Sequence, residues 1–299
     1  MTLAQALRKV VRGPVLEHEP LAAHVSIRMG GPADVFFRPI DPDDLVAGLR
    51  ALRAEGQGHV VLGGGANTLV SDLGLREPVI QLGPGFATES WPSERELELG
   101  ASVPGVRAWR AARRRGLCGP EFLVGIPGTL GGQVAMNAGT RLGSVSDLLI
   151  AAELATPDGV GWVDAKALDL GYRRCRLPVG AVVVRARLGL LPGDVAEGDL
   201  RVARDLEERR ARQPWSLPNL GSTFKNPPGD HAGRLLEACG LKGHRLGSVA
   251  FSELHANFLV NLGGGRAADA HALVELGRKR VFEAMGVELE PEIRRVGVF

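Results

Sequence analysis

The strongest constraint on this chain is a strand that runs straight into three glycines. His59-Val60-Val61-Leu62 has the continuous apolar character of a short buried strand, and Gly63-Gly64-Gly65-Ala66-Asn67-Thr68 follows without a break. Successive glycines offer backbone N–H groups with no side chains in the way, so such a turn can wrap a diphosphate closely. Asn67 and Thr68 add hydrogen-bonding side chains at its end. A flexible linker would also be glycine-rich, but Leu69-Val70 resumes an apolar run, which favours an ordered turn. Neither the G-x-G-x-x-G spacing into a long helix nor a Walker lysine–serine pair is present, so neither nucleotide fold built on those motifs is indicated. A second glycine-rich turn, Gly125-Ile126-Pro127-Gly128-Thr129-Leu130-Gly131-Gly132, leads into Met136-Asn137-Ala138-Gly139. Two such turns suggest one long phosphate-bearing cofactor touched from two sides.

Around these turns the pattern alternates between strands and helices. Asp41 reads as an N-cap with Pro42 at the first helical position, Leu45, Leu49 and Leu52 as the apolar stripe, and Gly56 as the stop. Strands are expected at Val35–Arg38, Pro78–Leu82, Glu96–Ala101, Leu148–Ala155 and Val179–Leu191, with a helix from about Val106 to Arg115. Leu191-Pro192-Gly193-Asp194 marks a boundary, followed by a charged helix from Leu200 to Arg212. Further helices are expected at Ala232–Cys239 and Ala267–Met285, the latter with Leu273, Leu276, Val281 and Phe282 on one side. A strand is expected at Asn257–Asn261 and a strand-like segment at Val287–Glu290. The fold class is α+β in two parts, residues 1–192 and 193–299.

Composition excludes several classes. With 44% hydrophobic and 23% charged residues the chain is globular rather than disordered, and at 299 residues its size suits two domains. A net charge of +2 calls for neither nucleic acid nor an anionic membrane. The runs Arg113-Arg114-Arg115 and Arg209-Arg210 read first as solvated helix faces. Cys118, Cys175 and Cys239 show no paired spacing, which argues against a disulfide framework or a zinc site and fits a reducing cytoplasm. The histidines show no metal spacing either, so no metal is expected. Met1–Gly13 lacks the apolar core of a signal peptide, and no stretch reaches the roughly 20 apolar residues of a membrane span.

The segment richest in chemistry is Gly221-Ser222-Thr223-Phe224-Lys225-Asn226-Pro227. A hydroxyl, an ammonium and a carboxamide sit close together between Pro218 and Pro227-Pro228, so the segment is a turn or strand end rather than a helix. Tyr172-Arg173-Arg174-Cys175 and Pro291-Glu292 are the two other places that combine chemistry with local restraint. Taken alone, Ser222 is a turn hydroxyl, and Arg173 and Glu292 are surface charges.

Together with the two glycine turns, these segments resemble the UDP-N-acetylenolpyruvoylglucosamine reductase family. The resemblance runs from Ser26-Ile27-Arg28-Met29-Gly30-Gly31 to Leu289-Glu290-Pro291-Glu292-Ile293 and includes Ser252-Glu253-Leu254-His255-Ala256-Asn257-Phe258. Ala66 stands where the family usually has serine, and so does Cys175. The shortness of the chain is similar to the compact subtype that lacks an extra substrate-covering loop.

The resemblance implies an FAD-binding domain of the vanillyl-alcohol-oxidase type, from about residue 26 of the 1–192 region, and a smaller α+β substrate-binding domain over 193–299. It implies NADPH as electron donor and a UDP-sugar as substrate. Cofactor contacts are implied for Gly63, Gly64, Gly65, Ala66, Asn67, Thr68, Gly125, Pro127, Gly128, Thr129, Gly131, Gly132, Asn137 and Gly139. Catalysis is implied for Arg173, Ser222 and Glu292, and substrate binding for Tyr172, Lys225 and Asn226. The competing expectations are an FAD oxidase of the same fold and a non-catalytic nucleotide-binding protein. Many such oxidases tether flavin through histidine, and residues 26–34 and 62–68 contain none.

Overall fold

A computed structural model describes all residues from Met1 to Phe299. The chain forms two compact units, each assembled from non-contiguous segments. The first comprises Met1–Glu17, Val35–Gly64 and Glu77–Leu206; the second comprises His18–Asp34, Gly65–Arg76 and Glu207–Phe299.

In the first unit, Val60–Val61 and Phe36-Phe37 both pair in parallel with Val79–Ile80. The Pro42–Ala54 helix forms as its signals dictate. Asp41 accepts a hydrogen bond from the Asp44 amide at 2.9 Å, and that bond, with Arg12 adding to it, holds the Asp41 carboxyl below its ordinary range. Leu45, Leu49 and Leu52 are almost wholly buried, each contributing about 1.5–3 kcal/mol of hydrophobic stabilisation. A second, antiparallel sheet has five strands in the order Gly159–Asp164, Leu149–Thr156, Val182–Gly189, Glu96–Gly100, Glu89–Ser90. One of its faces packs on the Val106–Arg113 helix around Trp109, Phe122 and Leu188.

The second unit has a four-stranded antiparallel sheet ordered Asn219–Ser222, Phe258–Asn261, Val249–Phe251, Arg245–Leu246. The Ala232–Ala238 and Ala267–Met285 helices belong to this unit too. Two early segments are built into it. Thr68–Val70 pairs in parallel with Arg294–Val296, and the Asp72 carboxylate accepts the Ala267 and Ala268 amides at 2.8 and 2.9 Å, capping the long helix.

Three expectations differ from the structure. The compact first unit continues past residue 192 to Leu206, because the helix there begins at Val195, not Leu200. Asp194 accepts the Ala196 and Glu197 amides, and the helix docks through Trp109–Asp199, Arg113–Asp199 and Arg201–Glu121 contacts. Residues 287–290 form no strand, since the Glu290 carbonyl instead accepts the Lys225 amide and Pro291 has no N–H to give a ladder. The last strand is Arg294–Val296. Finally, the buried face of the long helix runs through Leu273, Val274, Gly277 and Val281, and Phe282 is 58% exposed. No helix is long and apolar enough to cross a membrane.

Candidate active site

The two glycine turns expected to share a cofactor lie against each other. A Cβ on Gly64 would stand 2.6 Å from the Gly128 Cα, and one on Gly63 would stand 2.8 Å from Thr129 Oγ1. Backbone therefore meets backbone at Gly64, and any side chain there would push the turns apart. The amides of Gly63, Gly64, Gly65 and Ala66 donate to no protein acceptor, so they form a run of free donors. Pro127 is exposed beside this contact, and Gly125 closes the short Pro120–Gly125 3-10 helix before it. Gly131 packs on Ala101, and Gly132 lies in the following Leu130–Ala135 helix. Side-chain-free backbone with unspent N–H groups fits the diphosphate of a dinucleotide such as FAD.

The same unit builds the arginine turn. Gly171 and Arg174 exchange two backbone hydrogen bonds of 2.9 and 3.0 Å, leaving Tyr172 and Arg173 at the tip. Arg173 sits at φ +53°, a left-handed conformation costing a non-glycine residue about 1–2 kcal/mol. Its guanidinium donates to the Gly139 carbonyl at 2.9 Å and lies over the exposed Tyr172 ring at 5.1 Å. The neighbouring Arg174 is paired with Asp169. Asn137 is 4% exposed and bonded within the protein. It donates to the Gly171 carbonyl at 2.8 Å and accepts the Ser146 amide at 2.8 Å. The sequence puts Asn137 among the cofactor contacts; its carboxamide instead supports the arginine turn. The Cys175 thiol is half-buried, and desolvation raises its pKa, keeping it neutral.

The second unit carries Ser222 and Glu292. Ser222 ends the Asn219–Ser222 strand, opposite Phe258, after a register shift in the pairing. Gly221 supplies φ +72° at that irregularity, and nothing lies within 4 Å of its missing Cβ, so conformation rather than space demands glycine. Next, Thr223 donates to the Asn257 carbonyl at 2.7 Å, while its own carbonyl accepts the Glu292 amide at 2.8 Å. The Phe224 N–H and C=O are both taken by the Asn257 carboxamide, at 2.9 and 2.8 Å. Asn67 acts from the glycine turn: its Nδ2 donates to the Glu292 carbonyl at 2.9 Å, and its own carbonyl accepts the Arg294 amide at 2.8 Å. Thr68 continues that grip by pairing with Arg294. Ser222 and Glu292 are thus held on adjoining stretches of backbone. Lys225 pairs with Glu290, and the Asn226 carbonyl oxygen accepts the Ala232 amide at the start of the next helix.

The part Asn257 plays in holding this segment is not visible from the sequence. The residue lies in the 252–258 stretch, but a polar residue opening an apolar strand gives no sign of what it bonds. His255 helps place it, its Nδ1 accepting the Asn257 amide at 3.2 Å.

The glycine-lined turns and the α+β unit around them fit a flavoprotein, and residues 33–162 match the FAD binding domain family. Residues 213–296 match the UDP-N-acetylenolpyruvoylglucosamine reductase C-terminal domain. The chain is 53% identical to the UDP-N-acetylenolpyruvoylglucosamine reductase of Anaeromyxobacter sp. strain Fw109-5, over 98% of this chain and 92% of that one. It is 48% identical to that of Myxococcus xanthus, over 94% and 92%. The crystal structure of the Thermus caldophilus enzyme superimposes with a TM-score of 0.82 at 36% identity, covering 96% of this chain and 99% of that one. The chain belongs to the UDP-N-acetylenolpyruvoylglucosamine reductase family.

Proposed function

We propose that this chain reduces UDP-N-acetylenolpyruvoylglucosamine to UDP-N-acetylmuramate in the cytoplasm, with NADPH as electron donor, serving peptidoglycan synthesis and so cell shape and division. The glycine turns at 63–66 and 125–132 would hold FAD, which would supply two-electron hydride chemistry between NADPH and the enolpyruvyl ether. Everything else falls to the chain's own residues. Negative charge builds beside the substrate carboxylate as the carbon–hydrogen bond forms, and it must be stabilised as it forms. Arg173 keeps its charge and meets a carboxylate through two hydrogen bonds. Ser222 Oγ gives a proton to the enolate carbon, whose basicity makes a hydroxyl a sufficient acid. Glu292 serves as a hydrogen-bond donor in its protonated form, because a second carboxylate would repel the substrate's. Tyr172 and Lys225 contact the UDP-sugar, joined by the N–H donors of Asn226.

The observation that carries this reading is the 2.8 Å bond from the Glu292 amide to the Thr223 carbonyl, which fixes Glu292 beside the Ser222 strand. The test is an anaerobic titration of the purified yellow protein. NADPH should bleach the flavin bands, and the enolpyruvyl substrate should restore them without oxygen. Recolouring by air alone would identify an oxidase and sink the proposal.

A further inference from the structure

We infer that Asn257 is the positioning residue for Ser222; this rests on the function proposed above. Asn257 is 3% exposed, and every polar group it owns is spent on two elements. Its Oδ1 accepts the Phe224 amide at 2.9 Å and its Nδ2 donates to the Phe224 carbonyl at 2.8 Å. Its main-chain carbonyl accepts the Thr223 amide at 2.7 Å, and its amide donates to His255. The carboxamide thus stands in for the peptide of a neighbouring strand, bonded to both backbone groups of one residue. Other backbone groups of the same short stretch hold the glutamate segment. Thr223 accepts the Glu292 amide, Lys225 donates to the Glu290 carbonyl, and Phe224 bridges Pro291. Residues 223–225 are a shared spacer with Asn257 as its anchor.

The anchor has a chemical purpose. A serine hydroxyl is one bond from Cβ, so its reach is set almost wholly by its backbone, and the register shift before Ser222 removes regular ladder support on that side. Asn257 replaces that support within two residues of the hydroxyl. Proton transfer needs heavy atoms within about 3–3.5 Å, and a displacement of about 1 Å can cost ~10²-fold in rate. Asn257 touches no reacting atom. Its effect runs through the Ser222 hydroxyl, and so must disappear when that hydroxyl is gone.

The test uses the full-length holoenzyme. In Asn257→Asp the Phe224 N–H keeps an acceptor while the Phe224 carbonyl loses its donor; Asn257→Ala removes both. Flavin is reduced anaerobically with dithionite and mixed with UDP-N-acetylenolpyruvoylglucosamine in stopped flow. Asn257→Asp should slow reoxidation by about 10–100-fold with substrate Kd within about threefold. Placed on Ser222→Ala, the same change should cost less than about threefold. Equal losses in the two backgrounds, or no loss in either, would overturn the inference. Hydrogen exchange on the wild-type protein tests the anchor without catalysis, even if both variants misfold. The Phe224 amide should be among the slowly exchanging ones, and exchange at loop rates would remove Asn257 from the role. Failure of the wild-type flavin to be reoxidised at all would instead reject the proposed function, leaving the exchange result to stand on its own.

Discussion

The arginine turn and the serine–glutamate pair are held in opposite ways. Arg173 sits at the tip of a four-residue turn that closes on itself, in a left-handed conformation, beside a Tyr172 that is 58% exposed. Its restraint comes from Asn137 and Gly139, both 34 residues or so upstream in one compact segment. Ser222 and Glu292 are restrained by a lattice that gathers Asn257, Thr223 and Asn67, the last 225 residues from the glutamate it grips. The difference follows from side-chain length. A guanidinium on a long stem can find a carboxylate from a loosely supported turn, whereas a serine hydroxyl reaches only where its backbone puts it. Reach can be supplied by the side chain or by the scaffold, and each region uses one.

The largest expected effect tests the scaffold-held side. Ser222→Ala should leave reduction of the flavin by NADPH near its normal rate, because that step places no proton on carbon. Reoxidation by the enolpyruvyl substrate should fall by about 10²–10⁴-fold, with substrate binding largely kept. Ser222→Cys should recover part of the loss, a thiol being the stronger acid. Stopped-flow measurement of both half-reactions decides it. Equal slowing of the two would mean a disturbed site rather than a missing acid, and would dissolve the contrast between the regions.

On the side-chain-held side the cost should appear mainly as stability. Asn137→Ala leaves the Gly171 carbonyl and the Ser146 amide without their partner in a buried place. The expected loss is about 1–3 kcal/mol in unfolding free energy, read by denaturant titration. Reoxidation at saturating substrate should change by less than about tenfold, since the guanidinium can still reach. A rate loss as deep as that of Ser222→Ala, with stability intact, would show that the arginine needs its backbone as much as the serine does.

How much of this was legible in the sequence follows the same division. The Pro42–Ala54 and Ala267–Met285 helices were legible because their signals, an Asp41–Pro42 start and a Gly286 end at φ +68°, are local. The two glycine turns were legible as one cradle, for glycine's lack of a side chain is itself the feature. What failed depended on distant partners. The strand expected at 287–290 did not form there, because the partner of the true strand, Thr68–Val70, lies at the other end of the chain. The break placed at residue 192 ignored a helix that starts at Val195 under an Asp194 cap and docks on Trp109. The protein partners of the Asn137 and Asn257 carboxamides were not legible either, since a carboxamide reads the same whether it faces a cofactor or a carbonyl. Resemblance named Arg173 rather than Arg174, whose pairing with Asp169 no local signal in the sequence announces.

The smallest expected effect concerns the histidine that supports the anchor. His255 is packed against Phe258 with ring centroids 5.0 Å apart, and its Nδ1 accepts the Asn257 amide. Burial is the main cause of its lowered pKa, nearby Lys242 lowers it further, and Glu237 opposes them. The folded protein therefore holds His255 neutral at pH values where the unfolded chain, near the ordinary value of 6.5, already takes up a proton. Above that value the group adds no pH dependence. As pH falls below it, the unfolded state binds the extra proton and stability declines, until the folded pKa is reached and the slope ends. A protonated Nδ1 would also become a donor facing the Asn257 N–H, so protonation works against the anchor directly. His255→Asn keeps an acceptor near the place of Nδ1 and removes the titration. Its unfolding free energy should start lower, for lack of the Phe258 contact, but should fall less steeply than the wild type's between pH 7 and pH 5. Denaturant unfolding across that range checks the difference in slope. Parallel curves would mean that His255 gains and loses its proton alike in both states, and that the anchor of the serine–glutamate pair does not feel acid through this ring.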